Sequence, residues 1–82
     1  MATTINRLKD WFLVGQEKEA SHMIIVCNTF DWEDFPVYVM KNQNARDIYR
    51  KYSVDTERKV MEVYNINKDI ESQLSKHRAM EF

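Results

Sequence analysis

Three carboxylates, Asp31, Glu33 and Asp34, crowd into the stretch TFDWEDFPVYV at residues 29–39, together with Trp32, Phe35 and the chain's one proline. Carboxylates so close together could converge on a cation, or act as an acid and base. Neither chemistry finds the rest of what it needs. The stretch lacks the regularly spaced oxygen ligands and the glycine of a calcium-binding loop. His22 and Cys27 lie five apart and His77 is distant, which is no zinc spacing. Cys27 sits inside the apolar run MIIVC, where burial raises a thiol's pKa and makes it inert. None of the four serines stands in a glycine elbow, and a phosphate cradle would need more than the single Gly15. These residues argue against an enzyme and against a resident metal or cofactor.

The same stretch suits binding. Trp32, flanked by Asp31 and Glu33, has the make-up of an aromatic anchor inside a polar rim. The expected contact surface is therefore Asp31, Trp32, Glu33, Asp34 and Phe35. Phe30 and Phe35 are expected to fold back and seal the end of the core, with Trp32 exposed. A second group, Arg46, Arg50, Lys51, Arg58 and Lys59 with Tyr49 and Tyr52, could grip a phosphate-bearing ligand or an acidic partner. The ordinary alternative is a solvated face neutralised by Asp47, Asp55 and Glu57. Lys76, His77 and Arg78 suit the end of a helix.

The elements that must position these groups follow from the hydrophobic periodicity. Ile5, Leu8, Phe12 and Gly15 recur at helical spacing after a Thr3 or Thr4 cap. On that stripe Gly15 either allows close approach to a neighbour or ends the helix. HMIIVCNTF reads as a central strand, DWED as a turn and PVYVM as an edge strand that tolerates Pro36. Asn44 caps a short helix whose Ala45, Ile48 and Tyr52 share a face. KVMEVYNI reads as a third strand with a helix as competitor. Asn67 is expected to cap a last helix, with Ile70, Leu74, His77 and Phe82 inward.

The expected fold is thus α+β, a single domain over residues 1–82 in the order α-β-β-α-β-α. Its three-stranded, mostly antiparallel sheet has the order 2-1-3, with the helices against one face. Val60, Tyr64 and Ile66 are expected opposite Met61 and Val63. Both sheet faces are apolar, so the second face should be covered by a homo-oligomer, a dimer or larger, or by a terminal helix wrapping round.

Twelve basic and thirteen acidic residues leave a net charge of −1, which provides no general nucleic-acid surface. The polar start MATTINRLKD has no signal-peptide core, and the longest apolar run is five residues. A soluble, intracellular and cytoplasmic chain is expected on those features.

SHMIIVCNTFDWEDFPVYVM, with KVMEVYNI and the terminal HRAMEF, resembles a family of small uncharacterised proteins of phages and bacteria with a related hairpin core. The likeness runs from the first helix to the end of the chain and carries no catalytic motif, cofactor or binding residue. Glu19 departs from the small helix-ending residue expected there, which implies a longer first helix. The resemblance implies a phage protein in the host cytoplasm that acts by stoichiometric binding, inhibiting or modulating a host component such as a defence system. The alternative is an oligomeric sponge for a nucleotide-like signal, with Arg46, Arg50 or Arg78 taking phosphate and Tyr38 or Tyr64 stacking a base. A structural or DNA-binding virion component is the third expectation.

Overall fold

The structure is a computed structural model, and it describes residues 4–75 and 80–82. The Thr4 hydroxyl accepts from the Arg7 N–H at 3.3 Å and opens α1, Ile5–Glu17. Three strands follow from the apolar runs: β1, His22–Asn28, β2, Glu33–Val39, and later β3, Arg58–Asn65. Between β2 and β3 lies α2, Ala45–Ser53, whose cap Asn44 accepts from the Arg46 and Asp47 N–H groups. A short α3, Ile70–Leu74, follows β3. The sheet order is β2-β1-β3, and β1 runs antiparallel to both neighbours. KVMEVYNI is therefore strand up to Asn65, as its β-branched and aromatic content favours.

All five residues from Met23 to Cys27 are buried, as a central strand with two covered faces requires. Leu8 and Phe12 of α1 pack with Met23, Ile25, Tyr64 and Ile66, and Ile70 and Leu74 of α3 complete this first core. On the opposite face Ile24, Val26, Val39, Val60 and Val63 lie under Ile48, Tyr49 and Tyr52 of α2. The helices thus divide between the two faces instead of sharing one. Met80 and Phe82 fill the remainder of the second core, Met80 bridging Val63 in parallel register while the Glu81 N–H donates to the Val63 carbonyl at 2.9 Å. The face that called for an oligomer or a wrapping helix is covered by α2 and these terminal residues.

Three local expectations are corrected. The pairing of β1 with β3 slips between Ile25 and Val26, whose partners are Glu62 and Val60, so Met61 is an extra residue in a bulge. The bulge restores Val60 to the same face as Val63, with Tyr64 and Ile66 on the other. Asp69, not Asn67, caps α3, accepting from the Ser72 N–H, and the helix stops at Leu74. Phe82 consequently belongs to the α2 face, where its ring meets Tyr49 edge-on at 5.2 Å. His77 and Arg78 lie outside the described residues. Finally, α1 ends at Glu17 and is not lengthened, because Glu19 takes φ 57 and turns the chain.

Gly15 serves close approach. A Cβ there would stand 2.8 Å from Ile66 Cδ1 and 3.1 Å from Tyr38 Cε1, so α1 could not sit this low with any other residue unless its neighbours moved. Tyr38 reinforces the contact by donating its hydroxyl to the Trp11 carbonyl at 2.7 Å.

Candidate functional site

The turn that joins β1 to β2 comprises residues 29–32, two positions earlier than DWED, and its side chains explain why. Asn28 and Asp31 each accept from the N–H two residues on, Phe30 and Glu33, both at 3.0 Å. The Trp32 N–H closes the loop on the Asn28 carbonyl at 2.7 Å. Outside the loop, the Thr29 N–H and hydroxyl both donate to the Glu57 carbonyl at 2.8 Å. The hairpin tip and the connection between α2 and β3 are thereby held together as one end of the molecule.

At this end two aromatic side chains stand in solvent. Phe30 is 82% exposed and Trp32 57%. Trp32 also adopts φ 58, a left-handed conformation that bulky residues rarely occupy and that costs on the order of 1 kcal/mol or more. Asp31 and Glu33 are exposed beside them. Val54, at the end of α2, is 81% exposed.

The five expected contact residues divide. Asp31, Trp32 and Glu33 form the exposed tip. Asp34 is buried on β2 opposite Cys27, and Phe35 packs half-buried into the second core. The Cys27 thiol is pushed up by burial first and by its hydrogen bond to Asp34 second, which leaves it a protonated core group. Phe30 was expected in the core and is instead the most exposed large apolar residue described. The pair Asn28 and Asp31 was the sequence signal that could have located the loop and put Phe30 outside. Val54 had no such signal.

The alternative ligand residues are distributed over both sides of the sheet. Tyr38 and Tyr64 lie on the α1 face. Tyr64 is buried and donates to Glu62 Oε2 at 2.7 Å, and burial followed by that carboxylate raises its pKa far above the usual value. Arg46 and Arg50 belong to α2 on the opposite face, Arg46 standing 4.8 Å over the Phe82 ring. Arg78 is outside the described residues. One protomer does not bring this set together, and a pocket of that composition would need a second one.

Of the basic group only Arg58 and Lys59, with Tyr49, line a common groove, and Asp55 lines it with them. About 370 Å3 opens between the last turn of α2 and the start of β3, lined by Tyr49, Ser53, Thr56, Arg58 and Lys59 among others. Arg58 is held to Asp55 at 3.0 Å and stands over Tyr52. A smaller groove of about 260 Å3 separates α1 from the start of α3, between Phe12, Leu13 and Ile70. Among the described residues no three His, Cys, Asp or Glu side chains gather to hold a metal, and no helix is long and apolar enough to cross a membrane. No protein-family model matches the chain, and neither a curated protein nor a solved structure is similar to it.

Proposed function

We propose that the chain is a non-enzymatic binding protein that engages a partner protein through its hairpin tip. Trp32 carries the reading. A bulky residue placed where glycine fits best, more than half exposed beside an exposed Phe30, carries a backbone cost at a surface position. Aromatic anchors of this kind dominate interface energies, each being worth about 2 kcal/mol or more once desolvated. The hydrogen bonds of Asn28, Asp31 and Thr29 fix the loop before any partner arrives, which lowers the ordering cost of binding. In the phage setting that the sequence resemblance implies, the partner is a host component, inhibited or modulated by stoichiometric occupation.

The test is capture from a host lysate with immobilised protein, compared across variants. Trp32→Ala and Phe30→Ala should each lose the captured partner while the melting temperature stays nearly unchanged. Leu13→Ala, an exposed change on α1, should retain it. Equal capture by all three variants would refute the tip as the contact surface.

A further inference from the structure

We infer that the hairpin end of the sheet is a two-fold interface, occupied in the free protein by a second copy of this chain. The inference rests on reading the tip as a contact surface and adds its resting occupant, which a host partner would have to displace.

Charge at this end is divided by the sheet itself. Asp31 and Glu33 stand exposed on the β2 side, while Asp34 on the same strand is buried. On the other side Arg50 and Lys51 end α2, and Arg58 and Lys59 begin β3, four cations against the two carboxylates Asp55 and Glu57. The register makes the division explicit. Asn28 pairs with Glu33 on one side and Arg58 on the other, and Cys27 with Asp34 and Lys59. A two-fold axis normal to the sheet, passing beyond Asn28, sets the β2 side of one copy against the β3 side of the other. Each acidic tip then meets a basic corner, and the match occurs twice, as an isologous contact requires.

Shape agrees with charge. Beside the tip lies a concave groove lined by Tyr49, Ser53, Asp55, Thr56, Arg58 and Lys59, its one carboxylate already paired with Arg58 at 3.0 Å. Phe30, Trp32 and Val54 supply exposed apolar surface at the same end, inside a charged rim, which is the anatomy of an interface core. The Thr29–Glu57 hydrogen bonds hold tip and corner in fixed relation, so both halves dock together. A chain this short buries only ~60–65% of its unfolded surface, and covering this end would raise that share.

The experiment is sedimentation velocity on the full chain, without any partner, at low salt. The wild type should sediment as a dimer at about 50 μM, weakening as salt screens the contact. The double variant Asp31→Lys/Glu33→Lys should be monomeric, and so should Lys51→Glu/Lys59→Glu, with dissociation constants raised at least ~tenfold. Circular dichroism on each variant checks that it remains folded. Mixed in equal amounts, the two should form a heterodimer, because each acidic patch then meets a basic one again. A monomeric wild type, a dimer that survives both reversals, or a mixture that stays monomeric overturns the interface. None of those outcomes touches partner capture by the tip, and failure of capture leaves the dimer standing.

Discussion

Two turns flank β1, and both place a non-glycine residue in the left-handed region: Glu19 at φ 57 before the strand and Trp32 at φ 58 after it. The backbone problem is the same, but the surroundings differ. At Glu19 the chain leaves α1 with paired closing bonds, the Glu19 N–H to the Gln16 carbonyl at 3.1 Å and the Ala20 N–H to the Gly15 carbonyl at 2.9 Å. Ala20 is buried, and the turn closes against Gly15, Tyr38 and Ile66. The turn at Glu19 thus closes on buried residues, and Glu19 itself is exposed. At Trp32 the loop is equally well bonded, but the two aromatics it holds are left in solvent. Strain that terminates a helix is ordinary. Strain that displays an indole asks for a use.

The comparison breaks first at Gly15. If the end near Glu19 is the closed and packed one, Gly15→Leu should cost about 3 kcal/mol, since its side chain would be driven into Ile66 and the Tyr38 ring. Urea unfolding measures it, and a loss below about 1 kcal/mol would mean that α1 is free to lift. Gln73 tests the same end from α3. Its amide is buried, accepting from the Asn65 N–H at 2.6 Å and donating to the Asn65 carbonyl at 3.0 Å. Gln73→Leu should cost about 2 kcal/mol by leaving those backbone groups unpaired.

A smaller and sharper pair of changes is Glu19→Gly and Trp32→Gly. Each relieves a left-handed residue, so each should leave stability unchanged or raise it by about 0.5–1 kcal/mol. Their effects on binding should part completely. Glu19→Gly should keep partner capture, and Trp32→Gly should lose it. If Trp32→Gly instead unfolded the hairpin, the indole would be holding the loop and the contrast between the turns would disappear.

Much of this architecture was legible in the residues. The buried run MIIVC marked the central strand, Asn44 and the pair Thr3 and Thr4 marked helix starts, and the strand order followed. What escaped was whatever depends on three-dimensional closure. An amphipathic pattern says that α2 has an apolar side, but not which sheet face receives it. The bulge left a trace, because Val60, Met61 and Val63 break strict alternation, yet that trace reads equally as two apolar faces. The start of α3 was ambiguous because Asn67 and Asp69 are both acceptable caps, and only Asp69 is placed to accept from Ser72. At the tip, the exposure of Trp32 was signalled by its carboxylate neighbours. Phe30 was misplaced because aromatic residues near strands are usually buried, and the loop boundary decides the exception.

Acid offers the gentlest way to separate the two ends. His22 opens β1 just beyond the Glu19 turn, with Nδ1 3.0 Å from the Ser21 hydroxyl and a buried Nε2. Its pKa is lowered, first by burial, with the Phe82 backbone acting against the shift and the nearby Lys68 adding to it. Lys68 is itself paired with Glu81, which also faces this corner. A histidine held below its ordinary value binds protons less readily folded than unfolded, so its contribution is complete above about pH 6.5 and is lost as pH falls through that value toward the folded pKa. Stability should therefore decline as pH falls below about 6.5, and His22→Gln should remove that part of the decline. The loss should appear at the closed end. Amide exchange of β1's first residues and of Glu81 should quicken as the imidazole charges, while the tip amides of Phe30, Trp32 and Glu33 keep their rates once the intrinsic pH dependence is removed. Loosening at the tip instead would show that the two ends of β1 open as one unit, and that the packed end is what holds Trp32 in place.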